Sequence, residues 1–387
     1  MATKSNLKTL APFSIKSLKA FDFSVFIAVF SLLLFAPQSG WAEVERQTDA
    51  QLDGLPHSHL NVWLDRSVEH KGVIVAMHGL IMHGGVFDTV ASSLAEKGFI
   101  VMAADMRGYG RWKPELVERV LAARDNSSSD LSVKVTEEGE DIKDLTEEPL
   151  VLEESDSFLK SRSRVRYHES FKDLLALTRA VDQNYPQLPV FLMGESMGAG
   201  MAIHVAGEAP ECVDGMILSS PAIKKKINLA PRILLDAARF CRHPHKPVDL
   251  KPYILKFSSE DPLIARSCAG DPLVRKSLRP GDLLRTSQEI GRNITYADLV
   301  PPEVPVLIIQ GDRDRMVKSN GVVTLLQRLK SKDQTVKWFP NKGHLLLETP
   351  YVTDETMDVV TGWLNQHVQE YEKAPGSLSS LSVQNPR

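Results

Sequence analysis

Pro189-Val190-Phe191-Leu192-Met193-Gly194-Glu195-Ser196-Met197-Gly198-Ala199-Gly200-Met201-Ala202-Ile203 is the stretch on which the reading of this chain turns. The apolar run 189–193 reads as a buried strand and the small-residue run 199–203 as a helix, with Gly-x-Ser-x-Gly between them. A serine at the tip of so tight a turn needs neighbours two residues away without bulky Cβ groups, and Gly194 and Gly198 meet that demand. The turn also sets Ser196 at a helix N-terminus, where outward-facing backbone N–H groups hold a developing oxyanion. Strand, turn and helix in this order predict a nucleophile elbow rather than a surface turn.

Strand-like runs recur on both sides of the elbow: Leu60 to Leu64, Gly72 to Met77, Phe99 to Ala104, Gly215 to Ser219, Val306 to Gln310 and Val336 to Phe339. Several are continuously apolar, as parallel strands covered on both faces are. Helical faces alternate with them, one marked by Phe171, Leu174, Leu175, Thr178 and Val181 and another by Val322, Leu325, Leu326 and Leu329. The alternation predicts an α/β fold with a mostly parallel central sheet flanked by helices.

The 387 residues suit one large α/β domain with an insertion, or two modest ones. A Lys-bearing stretch, the apolar run 23–36 and the small residues Gly40 and Ala42 make residues 1–42 a signal peptide or, failing cleavage, an N-terminal anchor. The expected location is therefore exported: periplasmic, secreted or envelope-associated. Residues 43–58 read as an N-terminal extension, and 43–221 hold the first part of the core. Within it, 113–165 carry Asn126-Ser127-Ser128-Ser129-Asp130 and then a dense acidic run from Glu137 to Asp156, expected to be a solvated, partly disordered insertion. Residues 222–300, with helical patterning in Ile227 to Phe240, read as a helical cap over the catalytic edge. The core resumes over 301–373, and 374–387 form a Ser/Gly/Pro-rich disordered tail.

The net charge of −3, which becomes −6 without residues 1–42, gives no basic excess for nucleic acid. Three cysteines exclude a disulfide framework; Cys212, Cys241 and Cys268 read as buried thiols, with a Cys241–Cys268 bridge the alternative in an oxidising compartment. No Cys/His spacing suggests a metal site.

A serine hydroxyl needs a histidine base, and that histidine needs an acid to fix its tautomer. With Gly-x-Ser-x-Gly on this fold the chain order is Ser, acid, His, each at a strand end. After Val306 to Gln310 the sequence offers Asp312 and Asp314. Asp314 is favoured because it lies far enough beyond the strand to reach the next loop, whereas Asp312 suits a turn residue bonding its own backbone. His344, on the Gly343-containing loop after the last strand, is the expected base. Of the other histidines, His204 reads as packed, His243 and His245 as cap-loop residues, and His57, His59 and His367 as exposed. The oxyanion N–H groups are expected from Met197 and from Leu80, in His78-Gly79-Leu80-Ile81 after Gly72 to Met77. His78 reads as a support under that loop, and Asp105 with Arg107 as a structural pair.

Taken as an ordered set, the His78-Gly79 loop, Asp105 to Gly110, Gly194 to Gly198, Ser219-Ser220-Pro221, Asp271-Pro272-Leu273, Gly311 to Val317 and Gly343-His344 resemble α/β-hydrolases of the monoglyceride lipase and lysophospholipase group, allied with serine aminopeptidase-type domains. The resemblance implies an α/β-hydrolase fold and a serine esterase with Ser196, Asp314 and His344 as nucleophile, acid and base. It also implies Leu80 and Met197 at the oxyanion, a cap that binds an acyl chain, and no metal or organic cofactor. The expected substrate is a small acyl ester or lipid, monoacylglycerol or lysophospholipid, with peripheral contact to a membrane left open. The chain departs from the pattern at Glu195, where the family usually shows His, and at Leu80 and Ile81, where it usually shows a small residue and Gly. The alternatives are a small-ester esterase or peptidase on the same residues, or a non-catalytic binding module that retains the hydrolase shell.

Overall fold

In the computed structural model, whose described residues are 44–55, 58–127, 155–224 and 246–373, the strand runs pair into one eight-stranded sheet. Its strands are β1 (Val44–Ala50), β2 (Leu60–Asp65), β3 (Gly72–Met77), β4 (Phe99–Ala104), β5 (Val190–Glu195) and β6 (Gly215–Ser219), followed after a short ribbon of β7 (Val248–Asp249) and β8 (Ser277–Leu278) by β9 (Val306–Gly311) and β10 (Gln334–Phe339). The order across the sheet is β1-β2-β4-β3-β5-β6-β9-β10. Within that eight-stranded sheet only the β1/β2 and β2/β4 pairings are antiparallel. The six strands from β4 to β10 are therefore parallel, so their C-terminal ends gather along one edge, where ligands of open α/β sheets bind.

The helices are α1 (Asp88–Ala95), α2 (Pro114–Ser127), α3 (Asp156–Arg162), α4 (Tyr167–Asn184), α5 (Met197–Glu208), α6 (Lys251–Phe257), α7 (Pro262–Gly270), α8 (Pro280–Tyr296), α9 (Asn320–Arg328) and α10 (Asp354–Lys373). Alternate side chains of each strand point to opposite faces. Val73 and Val75 of β3 pack with Leu192, Leu174 of α4, Ala202 of α5 and Val322 of α9, whereas Ile74 and Ala76 pack with Phe191, Leu94 of α1 and Leu364 of α10. Both faces are thus covered along the middle of the sheet, which is why β3, β4, β6 and β9 read as largely apolar runs.

Three expectations change. The stretch 43–58 contains β1, antiparallel on β2 from Val44↔Asp65 to Ala50↔Leu60; its polar sequence hides a strand because an edge position buries little of it. The ends of the acidic insertion are helical, since Val117 of α2 and Leu159 of α3 bury against Trp112. Its middle, with most of the acidic run, lies outside the described residues. In the stretch 222–300, Tyr296 of α8 stacks on His204 of the elbow helix, and Asn293 Nδ2 donates to the Ala222 carbonyl at 3.0 Å. That helix therefore packs onto the core, while α6 and α7 form the smaller apolar cluster of Ile254, Ile264 and Cys268 against Met82 and Leu345. Residues 1–42, the run Ile227 to Phe240, Cys241, His57, His243, His245 and the tail 374–387 lie outside the described residues. Cys212 and Cys268 are buried free thiols. No described helix is long and apolar enough to cross a membrane.

Candidate active site

Ser196 stands between β5 and α5 with φ 56°, ψ −113°, in the left-handed half of the map that a non-glycine residue occupies only under constraint. The constraint is visible on both sides. A Cβ on Gly194 would stand 2.5 Å from the Gly198 carbonyl, and one on Gly198 would enter the Met77 carbonyl of β3. The Ser196 N–H donates to the Ser219 carbonyl at 2.9 Å and its own carbonyl accepts from Ala222 at 3.0 Å, which pins the strained residue between β5 and β6.

Asp314 and His344 come together from loops after β9 and β10. His344 Nδ1 donates to Asp314 Oδ2 at 2.7 Å, and both side chains are buried. Asp314 Oδ2 also accepts from Gln310 Nε2 at 3.0 Å, and Oδ1 accepts the Met316 and Val317 N–H groups at 2.7 and 3.0 Å. Burial pushes the Asp314 carboxyl up, but the His344 charge and these donors outweigh it and hold the group down at about 2. Burial pulls His344 down, and the Asp314 carboxylate, its hydrogen bond and Glu195 together carry the imidazole above its ordinary value. With Nδ1 committed to Asp314, Nε2 is the nitrogen left to exchange a proton. Asp312 is exposed and bonds not its own backbone but the Asn341 N–H, 2.7 Å away on the following loop. Asp312 N–H itself reaches the Phe339 carbonyl, so its place is to tie the β9 and β10 loops together.

The loop after β3 runs beside the elbow. Leu80 and Ile81 are half-buried, and Met197 is buried at the first turn of α5. Ile81 takes φ 67° despite its branched Cβ, at the position where the resemblance led Gly to be expected. Its carbonyl is held by the Arg275 N–H at 2.8 Å and the loop is tied further by His83 Nε2 to Asp271 Oδ2 at 2.9 Å. His78 is a buried support. Its Nδ1 donates to the Gly79 carbonyl at 2.9 Å and its Nε2 accepts the Met106 N–H at 3.0 Å, and burial lowers it to about 4. Asp105 and Arg107 do not pair with each other as expected. Asp105 accepts the Gly84 and Arg111 N–H groups at 2.7 and 2.8 Å, while Arg107 forks onto Asp173 at 2.7 and 2.9 Å, because the turn sends the two side chains to different neighbours.

The other histidines divide differently from their sequence reading. His204 is packed, sandwiched between Phe171 and Tyr296 with both ring centroids 3.6 Å away. His59 and His367 are buried, not exposed. His59 Nδ1 lies 2.5 Å from Asp49 of β1 with its ring against Trp112, and His367 bonds the Trp363 carbonyl at 2.8 Å and packs on the Trp363 ring.

Ser196 and His344 line one cavity of about 260 Å³ together with Gly79, Leu80 and Glu348. Most of the rest of its wall is apolar, with Ile81, Met82, Leu250, Ile254, Phe257 and Leu283 prominent beside Tyr253, Ser258 and Arg315. A polar end beside a greasy wall fits an ester whose acyl part is hydrocarbon. Two residues that the sequence reading did not place in the site belong to its frame. Glu195, noted only as a departure at the elbow, is fully buried and accepts the N–H groups of Leu346 and Glu348 at 2.8 and 2.9 Å. Glu348 is buried and accepts the Gly79 N–H at 2.5 Å. The sequence signal for either was slight: Glu195 comes just after the apolar run Val190 to Met193, and Glu348 just after Leu345 to Leu347.

Against known proteins, the family model described as serine aminopeptidase, S33 matches residues 68–136 and 160–350. The chain is 26% identical over 309 residues to monoglyceride lipase of Rattus norvegicus, covering 77% of this chain and 84% of that one. It is 23% identical over 308 residues to monoacylglycerol lipase of Mycolicibacterium smegmatis, covering 80% and 92%. Among solved structures, a soluble variant of monoglyceride lipase from Saccharomyces cerevisiae in complex with a substrate analog shares the fold with a TM-score of 0.59 at 17% identity, over 87% of this chain and 99% of that one. The chain belongs to the serine aminopeptidase S33 family of α/β-hydrolases.

Proposed function

We propose that this member of the S33 family, a carboxylic ester hydrolase, cleaves monoacylglycerol or lysophospholipid esters by acyl transfer to Ser196. Ser196 Oγ attacks the acyl carbon while His344 Nε2 takes its proton, and the carbonyl oxygen becomes an oxyanion facing the N–H groups of Leu80 and Met197. Collapse of the tetrahedral intermediate breaks the bond to the leaving alcohol, which takes the proton from Nε2. Water, deprotonated by the same nitrogen, then attacks the acyl-enzyme and releases the fatty acid with Ser196 restored. Asp314 holds the imidazole in the tautomer that accepts on Nε2 and stabilises the imidazolium.

The observation that carries this reading is the cavity with Ser196 and His344 at its polar end, Asp314 2.7 Å behind the imidazole, and mostly apolar side chains along the remaining wall. A peptide substrate would need polar partners for its backbone along the whole wall, most of which, Ile81, Met82, Ile254 and Phe257 included, is apolar, with Tyr253, Ser258 and Arg315 as the polar exceptions. Activity-based labelling with a fluorophosphonate, alongside monoacylglycerols of graded chain length, tests it. Wild-type protein should label and turn over long acyl chains faster than acetyl esters. Ser196→Ala should lose the label and drop turnover by roughly 10⁴-fold or more. Persistent labelling of folded Ser196→Ala, or a clear preference for acetyl esters, would overturn the assignment.

A further inference from the structure

Two buried carboxyl groups that the acyl-transfer steps leave unused lie where the three catalytic loops meet. Glu195 directly precedes Ser196. Its Oε1 accepts the Ser219 hydroxyl and the N–H groups of Leu346 and Leu347, the latter two at 2.8 and 3.2 Å, and its Oε2 accepts the Glu348 N–H at 2.9 Å. Those three amides follow His344 by two to four residues, so one side chain on the elbow gathers the start of the base loop's exit. Glu348 in turn reaches the third loop: its Oε1 takes the Gly79 N–H at 2.5 Å, one residue before the Leu80 amide. Its Oε2 has no protein partner, and the residue lines the cavity that holds Ser196 and His344.

We propose that Glu195 and Glu348 form a positioning relay that sets the mutual register of the nucleophile elbow, the base loop and the oxyanion loop, with Glu348 fixing where the Leu80 N–H stands. This rests on the acyl-transfer reading above. Catalytic geometry is steep in distance: a displacement near 1 Å costs about 10²-fold in rate. The sheet ladder ends at these loops, reaching Glu195↔Ser219 on the elbow side, and does not itself join the base loop and the oxyanion loop to the elbow. Side-chain acceptors that bridge the loops supply the missing restraint. What the relay requires of Glu348 is reach rather than charge. Burial, and then the Glu195 charge beside it, holds its carboxyl well above the usual range, so a neutral oxygen at the same distance serves the Gly79 N–H equally well.

Two substitutions separate reach from charge. Glu348→Gln keeps an acceptor oxygen at full length, and Glu348→Asp keeps the acid but falls one methylene short of Gly79. The expected result is a kcat for Glu348→Gln within about threefold of wild type. Glu348→Asp should lose roughly tenfold to a hundredfold in kcat with KM changed less than about threefold. An alkyl boronic acid that mimics the tetrahedral adduct should bind Glu348→Asp more weakly by a similar factor. The reverse order, wild-type kcat in both variants, or a loss confined to KM overturns the relay. Should Glu348→Asp not fold, Gly79→Ala makes the same break from the other side, because its Cβ would stand 2.9 Å from Glu348 Oε2 and displace the carboxyl. A folded Gly79→Ala with wild-type kcat counts against the proposal, and a kcat loss above about fivefold at constant KM supports it. Ser196→Ala run in parallel keeps the two readings apart: turnover surviving there sinks the acyl-transfer scheme, whereas turnover abolished there but intact in Glu348→Asp sinks only the relay.

Discussion

Replacing Asp314 with Asn removes a charge from a fully buried site while leaving the shape almost unchanged. Its Oδ1 could still accept the Met316 and Val317 amides, but the Oδ2 position now carries an NH₂ that faces two donors, His344 Nδ1 at 2.7 Å and Gln310 Nε2 at 3.0 Å. The imidazole escapes that clash by moving its proton to Nε2, and in that tautomer it cannot take the proton of Ser196. Turnover should fall by roughly 10⁴-fold at pH 7 with the fold retained. Stability changes too. The Asp314 carboxyl sits at about 2 in the folded chain against an ordinary 3.8, nearly two units, worth about 2 kcal/mol. Because the folded value is the lower one, this contribution is complete above about pH 4 and disappears as the pH falls toward 2. Asp314→Asn should therefore be less stable than wild type by about 2 kcal/mol at pH 7, with the gap closing by pH 2. Ester hydrolysis at saturating substrate and urea denaturation at several pH values read the two effects. Asp312→Asn is the control, since the exposed side chain only accepts the Asn341 amide, which an amide oxygen can do equally well; its turnover should stay within about twofold. A folded Asp314→Asn that keeps more than about a tenth of its turnover, or a crippled Asp312→Asn, would refute the reasoning.

The pH profile of kcat/KM should show its acid limb above pH 6.5, because Asp314 and Glu195 outweigh burial and raise the His344 imidazole, and the protonated ring cannot accept from Ser196. An inflection below 6.5 would contradict that balance. His204, held at about 4 by burial between Phe171 and Tyr296, stays neutral in the folded chain while the unfolded chain takes up a proton below 6.5. Stability from this site is thus present above pH 6.5 and lost as the pH drops toward 4, about 3 kcal/mol for the full titration. His204→Phe should remove that share of the acid dependence, measured as the difference in unfolding free energy between pH 7 and pH 4; equal pH dependence in the two proteins would exclude it.

Much of this molecule is legible one segment at a time. The inner strands of the sheet between Gly72 and Gly311 announce themselves as apolar runs because both sheet faces are covered, and the elbow does so because only glycine fits beside Met77 and Gly198. The edge strand Val44–Ala50 escapes such a reading, since none of its residues is fully buried, Arg46 and Thr48 are exposed, and its pairing depends on β2 rather than on its own pattern. His59 and His367 read as surface residues for a similar reason: polarity is local, whereas the Asp49, Trp112 and Trp363 groups that bury them arrive from elsewhere.

The amino-acid order alone thus settled the α/β layering, the strand–turn–helix around Ser196 and the chain order in which an acid and a histidine should follow. Folding decided which carboxylate meets the imidazole, sending Asp314 to His344 and Asp312 to Asn341, and it gave Glu195 and Glu348 their partners. The reason is range. Helix and strand preferences act over a few residues, but Asp314 and His344 are 30 apart in the chain and Glu195 and Leu346 are 151 apart. A hydrogen bond over such a separation exists only once the sheet has brought its strand ends to one edge.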